Sequence, residues 1–226
     1  MKLIDLQGKR VLLTQSGEFM GPALQRVFGA LGAEVVADAR PLAEPAAAAQ
    51  VVQQAGTIDV LLAHLALPAP STAVAAVDDD EWRHVFAHLV DPLPRLARAV
   101  LPQFAARGAG RIVVIGSAAA LRGQKRTSTY SAARGAQLAW VRAAGLELAR
   151  QNVQLNAIAQ NFVDNPTYFP PEVQANPAFQ ERLKREVPLG RLVSADEDAL
   201  FAAYLASDAA ACFVGQVFPV CGGWVG

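Results

Sequence analysis

The residues best suited to chemistry are Ser117 and, thirteen positions on, the run Tyr130-Ser131-Ala132-Ala133-Arg134. Tyr130 and Arg134 are four residues apart, so on a helix they are neighbours on one face. A guanidinium keeps its charge at any relevant pH, and its field favours tyrosinate over tyrosine. A free tyrosine, with a pKa near ~10, must fall by about 3 units to act as a base at neutrality, roughly 4 kcal/mol of differential stabilisation. One close cation in a partly dry site can supply much of that. Ser117 ends a strand just ahead of the helix, and its hydroxyl can hold a substrate oxygen while Tyr130 takes or gives the proton. Taken singly, the pair reads as a surface helical contact and the serine as a turn cap; the combined spacing points to an acid–base site.

The elements that must position these residues alternate along the chain. Short apolar runs at Arg10–Thr14, Glu34–Asp38, Ile58–Ala63, Arg111–Ile115, Val153–Ala159 and Phe213–Val220 read as strands. Helical patterns lie between them: Gly21–Leu31, a stretch starting in the Ala-rich end of residues 40–49, a long helix from Asp79 to Arg107 bent near Pro92 and Pro94, Ser128–Arg150, and a final pair. That alternation predicts an α/β fold, a single-domain Rossmann-like doubly wound parallel sheet flanked by helices and spanning residues 1–226. Ser117 then falls at the carboxyl edge of the sheet, where such folds place their sites.

With 226 residues and 53% hydrophobic content the chain can bury one sizeable core. Lys plus Arg and Asp plus Glu number 20 each, which removes any global electrostatic argument for nucleic acid or an anionic membrane. A small substrate is expected instead. No apolar run approaches a membrane span, and Asp5 interrupts what would have to be the apolar core of a signal peptide, so a cytoplasmic location is expected. Cys212 and Cys221 make neither a disulfide framework nor a zinc set and read as buried small apolar residues. His64 and His88 are widely spaced without a visible carboxylate partner, and Asp78–Glu81 reads as an acidic helix start, so no metal is expected.

Ser117, Tyr130 and the basic residue four later resemble the short-chain dehydrogenase/reductase pattern. Asn156–Ala159, Pro188–Leu192, Leu205–Asp208 and Gly215–Gly223 also resemble the C-terminal half of that superfamily, and the likeness covers nearly the whole chain. The departures bear on function. The superfamily's first turn usually reads Thr-Gly-x-x-x-Gly-x-Gly, so that the backbone can approach a pyrophosphate. Here Thr14 is followed by Gln15 and Phe19 at the first two glycine positions, and only Gly21 remains. His64–Leu67 replaces an Asn-Asn-Ala-Gly-like turn, His88 stands where dehydrogenases keep a proton-relay Asn, Gln160-Asn161 replaces Pro-Gly, and Arg134 replaces the usual lysine.

The Ser-Tyr-Arg set together with an aromatic residue in the glycine loop resembles the halohydrin dehalogenases, closest to the short B or D subtypes, and Gln160–Pro170 looks like their halide-binding loop. The resemblance implies no cofactor and no redox change. Ser117, Tyr130 and Arg134 would be catalytic, Tyr130 removing a proton from a vicinal haloalcohol so that the alkoxide displaces the halide and closes an epoxide. In reverse, azide, cyanide or nitrite would open the ring. Phe19, Gln160, Asn161, Phe162 and Val163 would form the halide site, the Phe162 and Val163 N–H groups donating, and Tyr168 and Phe169 would line the substrate side. Leu67, Leu121 and Trp224 would shape the pocket, Trp224 covering an apolar surface or reaching a neighbouring subunit's pocket, and the resemblance implies a homotetramer. Two further classes stay open. Asp38, where NAD-using dehydrogenases bind a ribose, favours an NAD(P)-dependent dehydrogenase with an atypical loop, and a non-catalytic binding relative predicts neither activity.

Overall fold

The computed structural model describes residues 4–225. Six strands, β1 (Arg10–Leu13), β2 (Glu34–Ala37), β3 (Val60–His64), β4 (Gly110–Ser117), β5 (Val153–Gln160) and β6 (Val217–Val220), form one parallel sheet in the order β2-β1-β3-β4-β5-β6. Helices α1 (Gly21–Ala30), α2 (Ala47–Ala55), α3 (Asp79–Leu89), α4 (Pro92–Arg107), α5 (Ser128–Leu148), α6 (Pro171–Gln174), α7 (Pro177–Glu186) and α8 (Ala195–Ala206) complete the chain. This is the expected α/β, Rossmann-like doubly wound architecture. Among the described residues no helix is long and apolar enough to cross a membrane.

The strand period of two divides the apolar residues between two cores. Leu12, Leu61, Ile112, Val114 and Leu155 face α2, α4 and α5 on one side. Val11, Leu13, Val60, Leu62, Val113 and Ile115 face α1 and α8 on the other. β4 and β5 are covered on both faces, which is why they read as continuous apolar runs. The chain leaves β1 toward β2 on one side and returns to β3 on the other, so the order reverses between β1 and β3 and opens a crevice at their carboxyl ends.

Several boundaries differ from the sequence reading. Residues 79–107 form two helices, because Pro92 opens α4 in a first turn, where its missing N–H costs no helical bond. β6 starts only at Val217, since Phe213 and Val214 lead into Gly215, which holds φ +64° and donates its N–H to Leu155 O. β4 ends two residues and β5 one residue later than expected, placing Ser117 in register with Gln160. Cys212 is exposed, contrary to its expected burial; Cys221 is buried.

Candidate active site

A cavity of about 360 Å³ opens at the carboxyl ends of the central strands. Its wall includes Ser117, Tyr130 and Arg134, Phe19, the segment Gln160, Asn161, Phe162 and Val163, and the aromatics Tyr168 and Phe169. Residues from four separate loops and α5 thus meet around one space.

Ser117 is the last residue of β4 and caps the 3-10 turn that follows, its Oγ accepting from the Ala119 N–H at 3.2 Å. The cap fixes the hydroxyl at the cavity wall. Tyr130 lies in the first turn of α5, buried, and Arg134 comes one turn later, as the helical spacing requires. The guanidinium carbon stands 5.1 Å from the centre of the Tyr130 ring. Its Nη1 donates to Ile115 O at 3.2 Å and to Gln137 Oε1 at 3.0 Å, and Gln137 in turn donates to Leu89 O. Arg134 is buried and these partners are neutral, so the cavity holds a cation that only a bound anion or a tyrosinate would compensate.

The turn after β1 keeps the path of a glycine loop while filling it with side chains. Gln15 and Phe19 hold φ of +46° and +50°, a region that costs an L-residue about 1–2 kcal/mol. Side-chain contacts hold both in place. Gln15 Oε1 accepts from the Ala66 N–H at 2.6 Å, and Gln15 O receives His64 Nδ1 at 3.0 Å. The Phe19 N–H donates to Thr167 Oγ1, and its buried ring packs 5.2 Å from that of Tyr168. At Gly21 a Cβ would lie 2.2 Å from Ser16 O, so the one retained glycine answers to packing. Asp38 is engaged by Arg40, whose backbone N–H and Nε both approach Oδ1 at 3.0 Å while Nη2 lies 2.8 Å from Oδ2. With the phosphate turn filled by Gln15 and Phe19 and the ribose carboxylate occupied, these residues do not fit a dinucleotide.

The segment after β5 differs from expectation in which atoms are free. The Phe162 N–H, expected to face a halide, donates instead to Asn161 Oδ1 at 2.9 Å, closing a local turn with Phe162 at φ +51°. Gln160 turns its Nε2 onto Asp198. Asn161 Nδ2, by contrast, is buried without a hydrogen-bond partner, and so is Arg134 Nε. The Val193 N–H donates to Phe162 O and the Asp164 N–H to Val193 O, both at 2.8 Å, and strand alternation then turns the Val163 N–H away from Val193. Asn161 Nδ2 and the Val163 N–H are therefore the donors this segment can offer.

Tyr168 closes the opposite wall, its hydroxyl accepting from the Ala69 N–H at 2.8 Å. Burial foremost, then the charge that Tyr130 would carry beside it, push it up to about 12, so it stays protonated. Phe169 packs on Phe179 at 5.4 Å. Leu67, Leu121 and Trp224 do not line the cavity; Trp224 is buried, its ring centre 6.1 Å from that of Phe162 in an edge-to-face pair and 4.8 Å from the Arg122 guanidinium carbon. Two groups were not anticipated at the site. His64 lines it, buried, and burial foremost holds it down to about 4, so the imidazole is neutral. Asp198, fully buried behind Gln160, sits in the acidic run Asp196–Asp198, whose pattern matches an ordinary exposed helix start and gave no signal of burial.

The family described as enoyl-(acyl carrier protein) reductase matches residues 2–225. The chain is 30% identical to the 3-oxoacyl-(acyl-carrier-protein) reductase FabG of Pseudomonas aeruginosa, over 97% of this chain and 98% of that protein. It is also 30% identical to the galactitol 2-dehydrogenase (L-tagatose-forming) of Cereibacter sphaeroides, over 95% and 84% of the two chains. Among solved structures, one described as a dehalogenation enzyme superposes with a TM-score of 0.90 at 32% identity, covering 100% of both chains. An L-sorbose reductase from Gluconobacter frateurii shares the fold with a TM-score of 0.89 at 22% identity. Sheet order, the serine and tyrosine at the carboxyl edge and these similarities together establish that the chain belongs to the short-chain dehydrogenase/reductase superfamily.

Proposed function

We propose that this protein is a halohydrin dehalogenase, a lyase that works without a nucleotide. One observation carries the reading: Phe19 occupies the phosphate turn and shares a single cavity with Ser117, Tyr130 and Arg134. The full-length likeness to a dehalogenation enzyme supports it. Tyr130, as phenolate beside Arg134, takes the proton of a vicinal haloalcohol while Ser117 donates to the same oxygen. That oxygen forms its bond to the neighbouring carbon as the carbon–halogen bond breaks, the halide leaving with the electron pair. Asn161 Nδ2 and the Val163 N–H receive it, and the positive edge of the Phe19 ring closes the pocket. Read backwards, a small anion enters the same pocket and opens the epoxide, with Tyr130 returning the proton.

The second reading, an NAD(P)-dependent reductase, is favoured by 30% identity to FabG over 97% of the chain. One pair of measurements separates the two: halide release from small vicinal chloro- and bromoalcohols without nucleotide, and melting temperature with and without NAD(P)H. Halide release with no nucleotide-induced rise in melting temperature is expected. No release across such alcohols, together with a clear rise on adding nucleotide, would replace the first reading by the second.

A further inference from the structure

Asp198 has no exposed surface, and it sits just inside the capping box with which Ser194 and Glu197 fix the start of α8. Its Oδ2 accepts from Gln160 Nε2, while its Oδ1 has no partner. No charge opposes it from the elements packed around it. On α8 itself Asp196 pairs with Arg26 of α1, and Glu197 with Arg191. Arg111 of β4 lies at the far end of that strand with Asp208, and Asp164 of the neighbouring loop is held by Gln174. Across the cavity stand Arg134, Tyr130, protonated Tyr168, neutral His64 and Arg182, whose charge is paired with Glu186.

Gln160 is the link between this carboxyl and the site. It ends β5 in register with Ser117, lines the cavity and precedes Asn161. An amide has a donor end and an acceptor end. A carboxylate can only accept, so an ionised Asp198 binds the NH2 end and leaves Gln160 Oε1 on the other side, an acceptor hostile to an anion. A protonated Asp198 has an O–H to give; it can donate to Oε1, and the amide then turns its NH2 end into the cavity as a donor.

We propose that Asp198 and Gln160 form a proton-operated positioning pair, in which Asp198 sets which end of the Gln160 amide meets the anion site, so that anion binding takes up a proton at Asp198. The proposal rests on the reading of this cavity as a halide site. Burial, countered only by the Gln160 hydrogen bond, pushes Asp198 up to about 7, so the two arrangements exchange near neutrality.

The test is the bromide dissociation constant, from thermal-shift titration at constant ionic strength between about pH 5.5 and about 8.5, in a Tyr130→Phe background that removes the proposed base from beside the anion. The constant should be level at the acid end and rise toward about tenfold per pH unit above about pH 7. Adding Asp198→Asn should abolish the slope, and so should Gln160→Met, which keeps the buried carboxyl and removes the amide. Bromide binding with no pH dependence, or a slope that survives either substitution, overturns the pair and leaves the halide reading standing. Absence of bromide binding at every pH removes the halide reading and the pair with it.

Discussion

Replacing Phe19 separates its backbone cost from its service to the cavity. The ring is 9% exposed, so truncation to alanine forfeits about 1.5–3 kcal/mol of burial and about 0.5–1.5 kcal/mol of aromatic contact with Tyr168. Phe19→Ala should therefore destabilise the fold by roughly 2–4 kcal/mol. Phe19→Gly loses the same contacts, but it relieves about 1–2 kcal/mol of left-handed strain at φ +50°. Glycine gives back about 0.5–1 kcal/mol of that in unfolded-chain entropy. The glycine variant should thus melt about 2 °C above the alanine variant, an inversion of the order found at ordinary positions. Both should weaken bromide inhibition by about fivefold, equivalent to ~1 kcal/mol. Calorimetric melting and inhibition of halide release measure the two effects separately. An alanine variant that melts at or above the glycine variant would refute the strain argument, and unchanged inhibition would remove Phe19 from the anion pocket.

Tyr130→Phe keeps the ring stacked under Arg134 and removes the proton acceptor, so halide release should fall by at least about a hundredfold while the melting temperature stays within about 2 °C; retained turnover would refute the assigned base. Stability against pH should carry two opposed slopes. His64 is held down to about 4 from 6.5, so between these values the unfolded chain binds more protons and stability falls as pH falls, by about 3 kcal/mol in all. Asp198 is raised from 3.8 to about 7, so there the native state binds more protons and stability falls as pH rises. The parent should be nearly level from pH 6.5 to 4, while Asp198→Asn should lose about 3 kcal/mol on the same descent, read by urea unfolding at each pH; equal curves would refute the opposition.

The sheet and the pairing of Tyr130 with Arg134 were legible because they rest on short-range periodicity: apolar runs buried on both faces for β4 and β5, and a four-residue helical spacing for Tyr130 and Arg134. Phe19 was legible as a departure from a glycine pattern. The details of the segment after β5 were not, because they turn on which of two adjacent groups captures an N–H. Asn161 takes that of Phe162, a choice made by the left-handed backbone at Phe162, which no sequence pattern marks in a non-glycine residue. Asp198 escaped for a different reason. Three consecutive acids at a helix start look alike, and only the tertiary packing of α8 decides that Asp196 and Glu197 meet arginines while Asp198 is sealed inside.

The cap at Ser117 reaches beyond holding a side chain still. An oxygen that already accepts the Ala119 N–H has its proton left to give, and the Tyr168 hydroxyl, accepting from Ala69, is in the same position. Two hydroxyls on facing walls are thereby polarised in one direction before any ligand arrives. Ethers and alkoxides, which can only accept, suit such a room; amines and amides, which must also donate, find fewer places to do so. The scaffold thus imposes a hydrogen-bonding handedness on the chemistry it admits, written in two backbone N–H groups of the cavity wall.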